Sequence, residues 1–231
     1  MKGIVFSFSK KDNEHSLKRR AKTDYKKEFS GKIDFRYLYR RYGILALFTI
    51  ILVTGLTVGT VLSQNFDSNV MSRLDFLFTT NLPQRLNNGA FGAFCASFAS
   101  DFMFLLLAFL MGLSLWGIGL LPFIVFFKGF GIGVSAAYLF TNYSVSGLIF
   151  YLTILLPGLF IFSMVLVYQS IESYYISKKL IKNLFFKEEY SVKTPLKIYF
   201  KKSLVYLIGA VIASFLDMAL WFTFASLFNF K

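Results

Sequence analysis

About seventy consecutive residues, from Phe102 to Ile171, contain a single side chain that is charged at neutral pH, Lys128. A soluble fold does not bury so long a segment with one charge, because its surface helices need a polar face toward water. A membrane protein does, since apolar segments of about twenty residues cross the hydrocarbon core of a bilayer. This segment therefore predicts an integral membrane protein.

The composition of the chain supports the same class. Hydrophobic residues make up 56% of the chain, and thirty residues are Phe, above the apolar share of ordinary globular proteins. The one cysteine, Cys95, and the one histidine, His15, provide neither a disulfide framework nor a Cys/His metal cluster. We expect no catalytic residues, no bound cofactor, no metal and no enzymatic activity.

The hydrophobic blocks predict an all-α bundle of five transmembrane helices in residues 42–231. A basic cytoplasmic tail, partly disordered, precedes the bundle at residues 1–41. The predicted spans cover about 42–63, 101–121, 122–141, 148–170 and 203–228. A short outer segment separates the first two spans, with the alternative that residues 89–100 of this segment re-enter the membrane.

The distribution of basic residues predicts the orientation of the bundle. Thirteen Lys and Arg precede the first span and eight Lys lie within 178–202, whereas only Arg73, Arg85 and Lys231 fall on the other side. Loops rich in Lys and Arg stay in the cytoplasm. The N-terminus is therefore predicted to be cytoplasmic and the C-terminus extracytoplasmic. The net charge of +13 then reflects topology and attraction to anionic lipid headgroups, and we expect no nucleic-acid partner.

Two ionisable side chains fall inside the predicted spans. Lys128 lies about six residues from the cytoplasmic start of its span, where it can snorkel to the interface, bond a local carbonyl, or serve a pathway or partner contact. Asp217 lies deeper, about fourteen residues into the last span. It is a candidate functional carboxyl, or one satisfied by a Ser or Thr of a neighbouring helix. The two depths differ by roughly 10 Å, so we expect no direct pairing.

Two further carboxylates lie at predicted span ends. Asp101 follows Ser100 at the outer start of the second predicted span, where helix capping accounts for an acidic side chain. Glu172 falls at the cytoplasmic exit of the fourth span and is expected to be an ordinary solvated carboxylate.

Small residues recur at spacings that let membrane helices pack closely. They are Gly55 and Gly59 in the first span, and Gly129, Gly131, Gly133 and Ala137 in the third. We expect these residues to form either packing surfaces between helices of this chain or the interface with a second copy of the chain or a partner protein. The alternating glycines do not form a phosphate-binding loop, because no strand precedes them. Pro157 and Gly158 predict a kink in the fourth span and a candidate hinge.

Residues 109–133 and 147–158 together carry a resemblance to a known family. They contain a glycine-bearing span, a Pro-led hairpin, a glycine-rich span with Lys128-Gly-Phe-Gly-Ile-Gly133, and a span with Leu156-Pro-Gly158. In this order the chain resembles the stage II sporulation protein M family over about residues 43–230. It departs from the family in its long basic tail and in Lys128, where some members carry a neutral polar residue.

The resemblance implies an integral membrane protein of bacterial spore formers, acting in engulfment with membrane-anchored peptidoglycan-degrading partners that it helps to localise. It brings no catalytic residues. The first functional hypothesis is therefore a non-enzymatic membrane scaffold for engulfment or related envelope remodelling. The alternative is a membrane subunit of a transporter or channel that uses Asp217 and Lys128, with the Pro157-Gly158 break as its hinge.

Overall fold

The structure is a computed structural model that describes the backbone of residues 35–63, 82–186 and 193–224, and the side chains of 42–63, 91–184 and 195–224. The tail up to residue 34, the outer segment at 64–81, the basic stretch at 187–192 and the end of the last predicted span at 225–228 lie outside the described residues. The chain divides into two units, Met1–Gly43 and Ile44–Lys231, and of the first only the beginning of a helix is described.

The described residues are helical throughout, apart from a short connection at 114–116, which confirms the all-α class for this part of the chain. In chain order the elements are α1 (Phe35–Ser63), α2 (Leu82–Leu113), α3 (Gly117–Phe150), a π-helical turn (Tyr151–Leu155), α4 (Leu156–Phe186) and α5 (Lys193–Phe224).

Four helical stretches in the described ranges are long and apolar enough to cross a membrane. They are Tyr42–Ser63, Phe91–Leu113, Gly117–Leu184 and Pro195–Phe224. The third contains 68 residues, about 100 Å if it were straight, more than three times the thickness of a hydrocarbon core. Large apolar side chains such as Phe123, Phe160 and Phe222 are exposed on the outer surface, as expected where lipid replaces water.

The long third stretch does not continue straight. Ser144 has a φ of 53° and a ψ of −137°, a backbone conformation that L-residues seldom adopt. A Cβ added at Gly147 would overlap the carbonyl oxygen of Leu139, although eight residues of a straight helix span ~12 Å. The Tyr151 hydroxyl likewise donates to the carbonyl of Ile132 at 3.1 Å. The chain therefore folds back at Ser144, inside the uncharged stretch at 141–147.

The boundaries of the second predicted span differ from the structure. The helix begins at Leu82 rather than near Asp101 and ends at Leu113, and α3 then begins at Gly117, so that Pro122 lies inside it. Proline is tolerated near a helix start, which made Pro122 a plausible boundary. Two hydrogen bonds stabilise the actual connection: the Ser114 amide donates to the Met111 carbonyl, and the Gly117 amide donates to the Ser114 carbonyl.

All five helices contribute to one apolar core. Phe48 of α1, Phe104 of α2, Val125 of α3, Phe162 of α4 and Ala213 of α5 are buried in the same cluster. A second cluster is centred on the fold at Ser144 and on the π-helical turn, with buried residues that include Ile132, Leu139, Phe150, Ile154 and Trp221.

The glycines of α1 and α3 form a seam in which the two backbones touch. Cβ atoms at Gly55 and Gly59 would overlap the carbonyl oxygens of Phe126 and Phe130, and Cβ atoms at Gly129 and Gly133 would overlap those of Leu52 and Leu56. Only glycine permits such an approach, and membrane helices without a hydrophobic driving force gain contact area from it. These four glycines, here called the glycine seam, therefore hold α1 against α3.

A neutral polar network joins α2, α4 and α5 toward the basic end of α4. The Gln169 amide nitrogen donates to the hydroxyls of Tyr199 at 3.2 Å and Ser203 at 3.0 Å. Ser203 donates to the Gln169 amide oxygen at 3.2 Å, and the Tyr199 hydroxyl lies 2.9 Å from the carbonyl oxygen of Phe109. Ser173 lies 2.8 Å from Tyr199. Uncharged side chains thus satisfy one another inside the apolar bundle, as membrane interiors require.

Candidate functional site

Four polar side chains meet in the middle of the helical body and form the candidate site. Ser97 and Asp101 belong to α2, Lys128 to α3 and Asp217 to α5, and each is no more than 4% exposed. We call them the charged cluster. Ionisable groups inside membrane helices are costly and mark functional or structural sites by default, so these four residues need an explanation that the surrounding apolar packing does not.

The centre of the charged cluster is an ion pair between two helices. The Lys128 ammonium lies 2.9 Å from a carboxylate oxygen of Asp101. It also lies 5.0 Å from the ring centroid of Phe104 and 4.8 Å from that of Phe162, within the range of cation–π attraction. The lysine is 0% exposed, so it does not snorkel to the interface. Its partner is a carboxylate, a pairing that the sequence did not predict.

The α2–α3 hairpin explains why these two residues meet. Asp101 precedes Ser114 by thirteen residues, and Lys128 follows Trp116 by twelve. On two antiparallel helices joined at 114–116, both positions therefore lie about 18–20 Å from the connection. The assignment of Asp101 to a helix cap was wrong, since Asp101 lies nineteen residues after the first residue of α2.

Ser97 connects the ion pair to the last helix. It lies four residues before Asp101, so the two side chains share one face of α2. Its hydroxyl donates to a carboxylate oxygen of Asp217 on α5. The sequence left two roles open for Asp217. The structure shows the hydrogen bond to a hydroxyl of a neighbouring helix, and it also places Asp217 on the same small gap as Asp101.

A glycine of α4 allows α5 to approach α4 closely at Asp217. A Cβ at Gly158 would lie 3.2 Å from the carbonyl oxygen of Ala213 and 3.2 Å from the Asp217 Cβ. Pro157, directly before it, lacks an amide proton, and the π-helical turn Tyr151–Leu155 ends two residues before Pro157. Local π geometry is one way in which membrane helices accommodate proline. The predicted kink residues thus lie beside the charged cluster.

The space beside the two carboxyl groups is small. Ser97, Asp101 and Asp217 line a narrow gap with residues of α4, and the gap leaves no room for a water molecule. Polar groups in such a place must be satisfied by the protein itself. The Lys128–Asp101 ion pair therefore joins α2 to α3, and the hydrogen bond between Ser97 and Asp217 joins α2 to α5.

No arrangement in the described residues points to a bound metal. Within these ranges no three His, Cys, Asp or Glu side chains come close enough to share an ion. The charged cluster offers two carboxyl groups, and its ammonium already lies against one of them.

The remaining predicted residues occupy other places. Gly55, Gly59, Gly129 and Gly133 lie in the glycine seam, and Gly131 and Ala137 are buried in α3. Sequence reasoning missed Ser97 and Asp101 as members of the cluster. The available signal was their spacing of four residues within a continuous apolar stretch, which puts both on one helix face.

Comparisons with known proteins complete this description. The model of a protein family described as stage II sporulation protein M matches residues 44–225, which include every residue of the charged cluster and of the glycine seam. Neither the search of curated proteins nor the search of solved structures gave a match. Since the family match covers most of the 231 residues, the chain belongs to the stage II sporulation protein M family.

Proposed function

We propose that this protein is a non-enzymatic membrane scaffold that localises membrane-anchored, peptidoglycan-degrading partners during engulfment or related envelope remodelling. The observation that carries the proposal is the closed charged cluster within a body that matches the sporulation family. Lys128 is fully buried and paired with Asp101. Charges arranged in this way fix helices to one another, which suits a rigid platform better than a catalyst or an open pore.

The scaffold is proposed to cross the membrane five times. The fold at Ser144 supports two crossings within the apolar stretch Gly117–Leu184, in addition to those of α1, α2 and α5. With an odd number of crossings the termini lie on opposite sides. The excess of Lys and Arg in the tail and in residues 178–202 supports a cytoplasmic N-terminus and an extracytoplasmic C-terminus.

Cysteine labelling tests this topology. In a Cys95→Ser background, Ser16→Cys and Asn229→Cys each introduce one thiol near a terminus. A membrane-impermeant maleimide applied to intact cells should label the second variant only, and permeabilised cells should show label on both. Equal labelling of the two variants in intact cells would contradict an odd number of crossings.

The scaffold role is tested by isolation of the protein in mild detergent and by imaging of the cell-wall hydrolase that copurifies. We expect an identified peptidoglycan-degrading protein to copurify and to lose its membrane position in a deletion strain. The purified chain alone should not degrade peptidoglycan. Recovery of the protein without a hydrolase, combined with normal hydrolase placement and normal engulfment in the deletion strain, would reject the scaffold role.

A second candidate is a transporter or channel subunit that uses Asp217 and Lys128. It is favoured by the two carboxyl groups beside one ammonium and by the π-helical turn next to Pro157 and Gly158, since such breaks occur at transport sites. Proton or solute flux into liposomes that contain the protein would support this candidate, provided that Asp217→Asn and Lys128→Ala abolish the flux. The control is Glu172→Gln, outside the cluster. Flux that is unchanged in Asp217→Asn and Lys128→Ala would count against the transporter or channel candidate.

A further inference from the structure

An apolar groove runs along the outer surface between α1 and α4. It has a volume of about 330 Å³ and is open to the surroundings of the bundle. The hydroxyls of Thr49 and Ser163 bond within their own helices, since Thr49 donates to the carbonyl of Leu45 at 2.9 Å and Ser163 to that of Leu159 at 2.7 Å. The surface of the groove is therefore suited to hydrocarbon.

The length of the groove matches one leaflet of a bilayer. Its lining extends from Leu45 to Leu56 on α1 and from Leu156 to Tyr168 on α4, which corresponds to about 17–18 Å at the rise of an α-helix. Half of a hydrocarbon core is about 15 Å. Tyr168, at one end of the groove, is half exposed and has the amphipathic side chain that favours the membrane interface.

Lysines continue the same face of α4 beyond the groove. Lys178, Lys179 and Lys182 are exposed and line, with Tyr175, a second recess of about 320 Å³. Lys182 follows Met164 of the groove by eighteen residues, which is five helical turns, so the two share one face. Lys178 and Lys182 follow Tyr168 by ten and fourteen residues, which is about 15–21 Å along α4. Cα–Cβ bonds tilt toward the N-terminus of a helix, which on α4 means back toward the groove.

We propose that this face of α4 binds an anionic phospholipid, with one acyl chain in the groove against α1 and the phosphate-bearing headgroup on Lys178, Lys179 and Lys182. Charge complementarity identifies the headgroup, because basic recesses at the ends of membrane helices attract anionic lipids. The apolar groove supplies the chain-binding half that a free phosphate would not use.

Native mass spectrometry of the full-length protein in detergent tests the proposal. The probes are phosphatidylglycerol and phosphatidylcholine with identical acyl chains, and inorganic phosphate as the headgroup chemistry alone. We expect phosphatidylglycerol to remain bound in preference to phosphatidylcholine, and phosphate not to compete with it. Lys179→Gln with Lys182→Gln should weaken phosphatidylglycerol binding roughly 30-fold, since each lysine near an anionic surface contributes about fivefold.

Two further variants separate the parts of the site. Lys197→Gln with Lys201→Gln on α5 removes the same charge from exposed positions outside both recesses and should leave lipid retention unchanged. Met164→Trp narrows the groove and should weaken the retention of both lipids. The inference is overturned if the α5 pair weakens binding as much as the α4 pair, if Met164→Trp has no effect, if phosphate competes with the lipid, or if the retained mass is a second copy of the chain.

Discussion

The charged cluster and the neutral polar network solve the same problem with different chemistry. Both place polar side chains inside apolar helices, and both join α2 to α5. The network uses uncharged partners, Gln169, Ser173, Tyr199 and Ser203, which satisfy one another. The charged cluster instead depends on the ion pair of Lys128 and Asp101. A neutral network loses one hydrogen bond at a time, whereas an ion pair that loses one partner leaves a charge buried in apolar surroundings.

The comparison also separates specificity from stability. Well-packed apolar residues often replace a buried ion pair without loss of stability, so hydrophobic stabilisation alone does not require Lys128 and Asp101. We infer that the pair fixes which faces of α2 and α3 meet, since only one rotation of each helix brings the two charges together. The neutral network adds a second anchor nearer to the basic end of α4.

The largest expected effect is the loss of one member of the ion pair. Lys128→Met keeps an unbranched apolar side chain but leaves the Asp101 carboxylate without its cation. Removal of one partner of a buried pair costs about 3–5 kcal/mol, and we expect a decrease of this size in the unfolding free energy measured in mixed detergent micelles. Lys201→Met, at an exposed position, is the matched control and should change stability by less than about 0.5 kcal/mol.

The next effect concerns the glycine seam. Gly133→Ala places a methyl group against the backbone of α1 at Leu56 and Thr60, and overpacking of this kind costs about 1–3 kcal/mol. Gly119→Ala is the control on the same helix, because no atom lies within 4 Å of a Cβ there. It should stabilise the helix by up to about 1 kcal/mol. Equal behaviour of the two variants in thermal unfolding would show that α1 does not touch α3 at the seam.

A smaller effect is expected in the neutral network. Tyr199→Phe removes the hydroxyl that contacts the Phe109 carbonyl and Gln169. Polar contacts between membrane helices average about 0.6 kcal/mol with a maximum of about 1.7 kcal/mol, and the loss in unfolding free energy should fall in this range. Tyr168→Phe, on the exposed surface, should be nearly neutral. A loss as large as that of Lys128→Met would remove the distinction between the two regions.

The smallest effect is expected at the exposed ion pair. Lys202 lies 2.5 Å from Glu172, and the two side chains are 47% and 28% exposed. Exposed pairs contribute about 0–1 kcal/mol. Lys202→Gln should therefore change stability by less than about 1 kcal/mol. A loss of several kcal/mol would mean that this pair is not solvated.

The sequence predicted the membrane class and the all-α architecture because apolar block length is a strong signal. The prediction misplaced the connection between α2 and α3, and for that reason it did not bring Asp101 and Lys128 together. With a turn at Pro122, Asp101 lies twenty-one residues and Lys128 six residues from the turn, which puts them at opposite depths. With the connection at 114–116, the two distances are nearly equal. Pro122 misled the prediction because proline tolerates the start of a helix without requiring it.

Other features could not be read from local patterns. Ser97 and Asp217 are 120 residues apart, and no spacing rule links α2 to α5 across two intervening helices. The seam was visible as paired glycines in α1 and α3, because small residues four apart are a local signal. Their assignment to each other, rather than to a second copy of the chain, depends on the packing of the whole bundle.

A double-mutant cycle on Lys128 and Asp101 tests the central claim most directly. Unfolding free energies would be measured in the same micelles for Lys128→Met, Asp101→Leu and the double variant. If the two residues form the buried ion pair, the double variant should recover most of the loss caused by either single change, with a coupling of about 2 kcal/mol or more. Additive losses, within about 0.5 kcal/mol, would contradict the pairing and with it the charged cluster as the element that fixes α2 against α3.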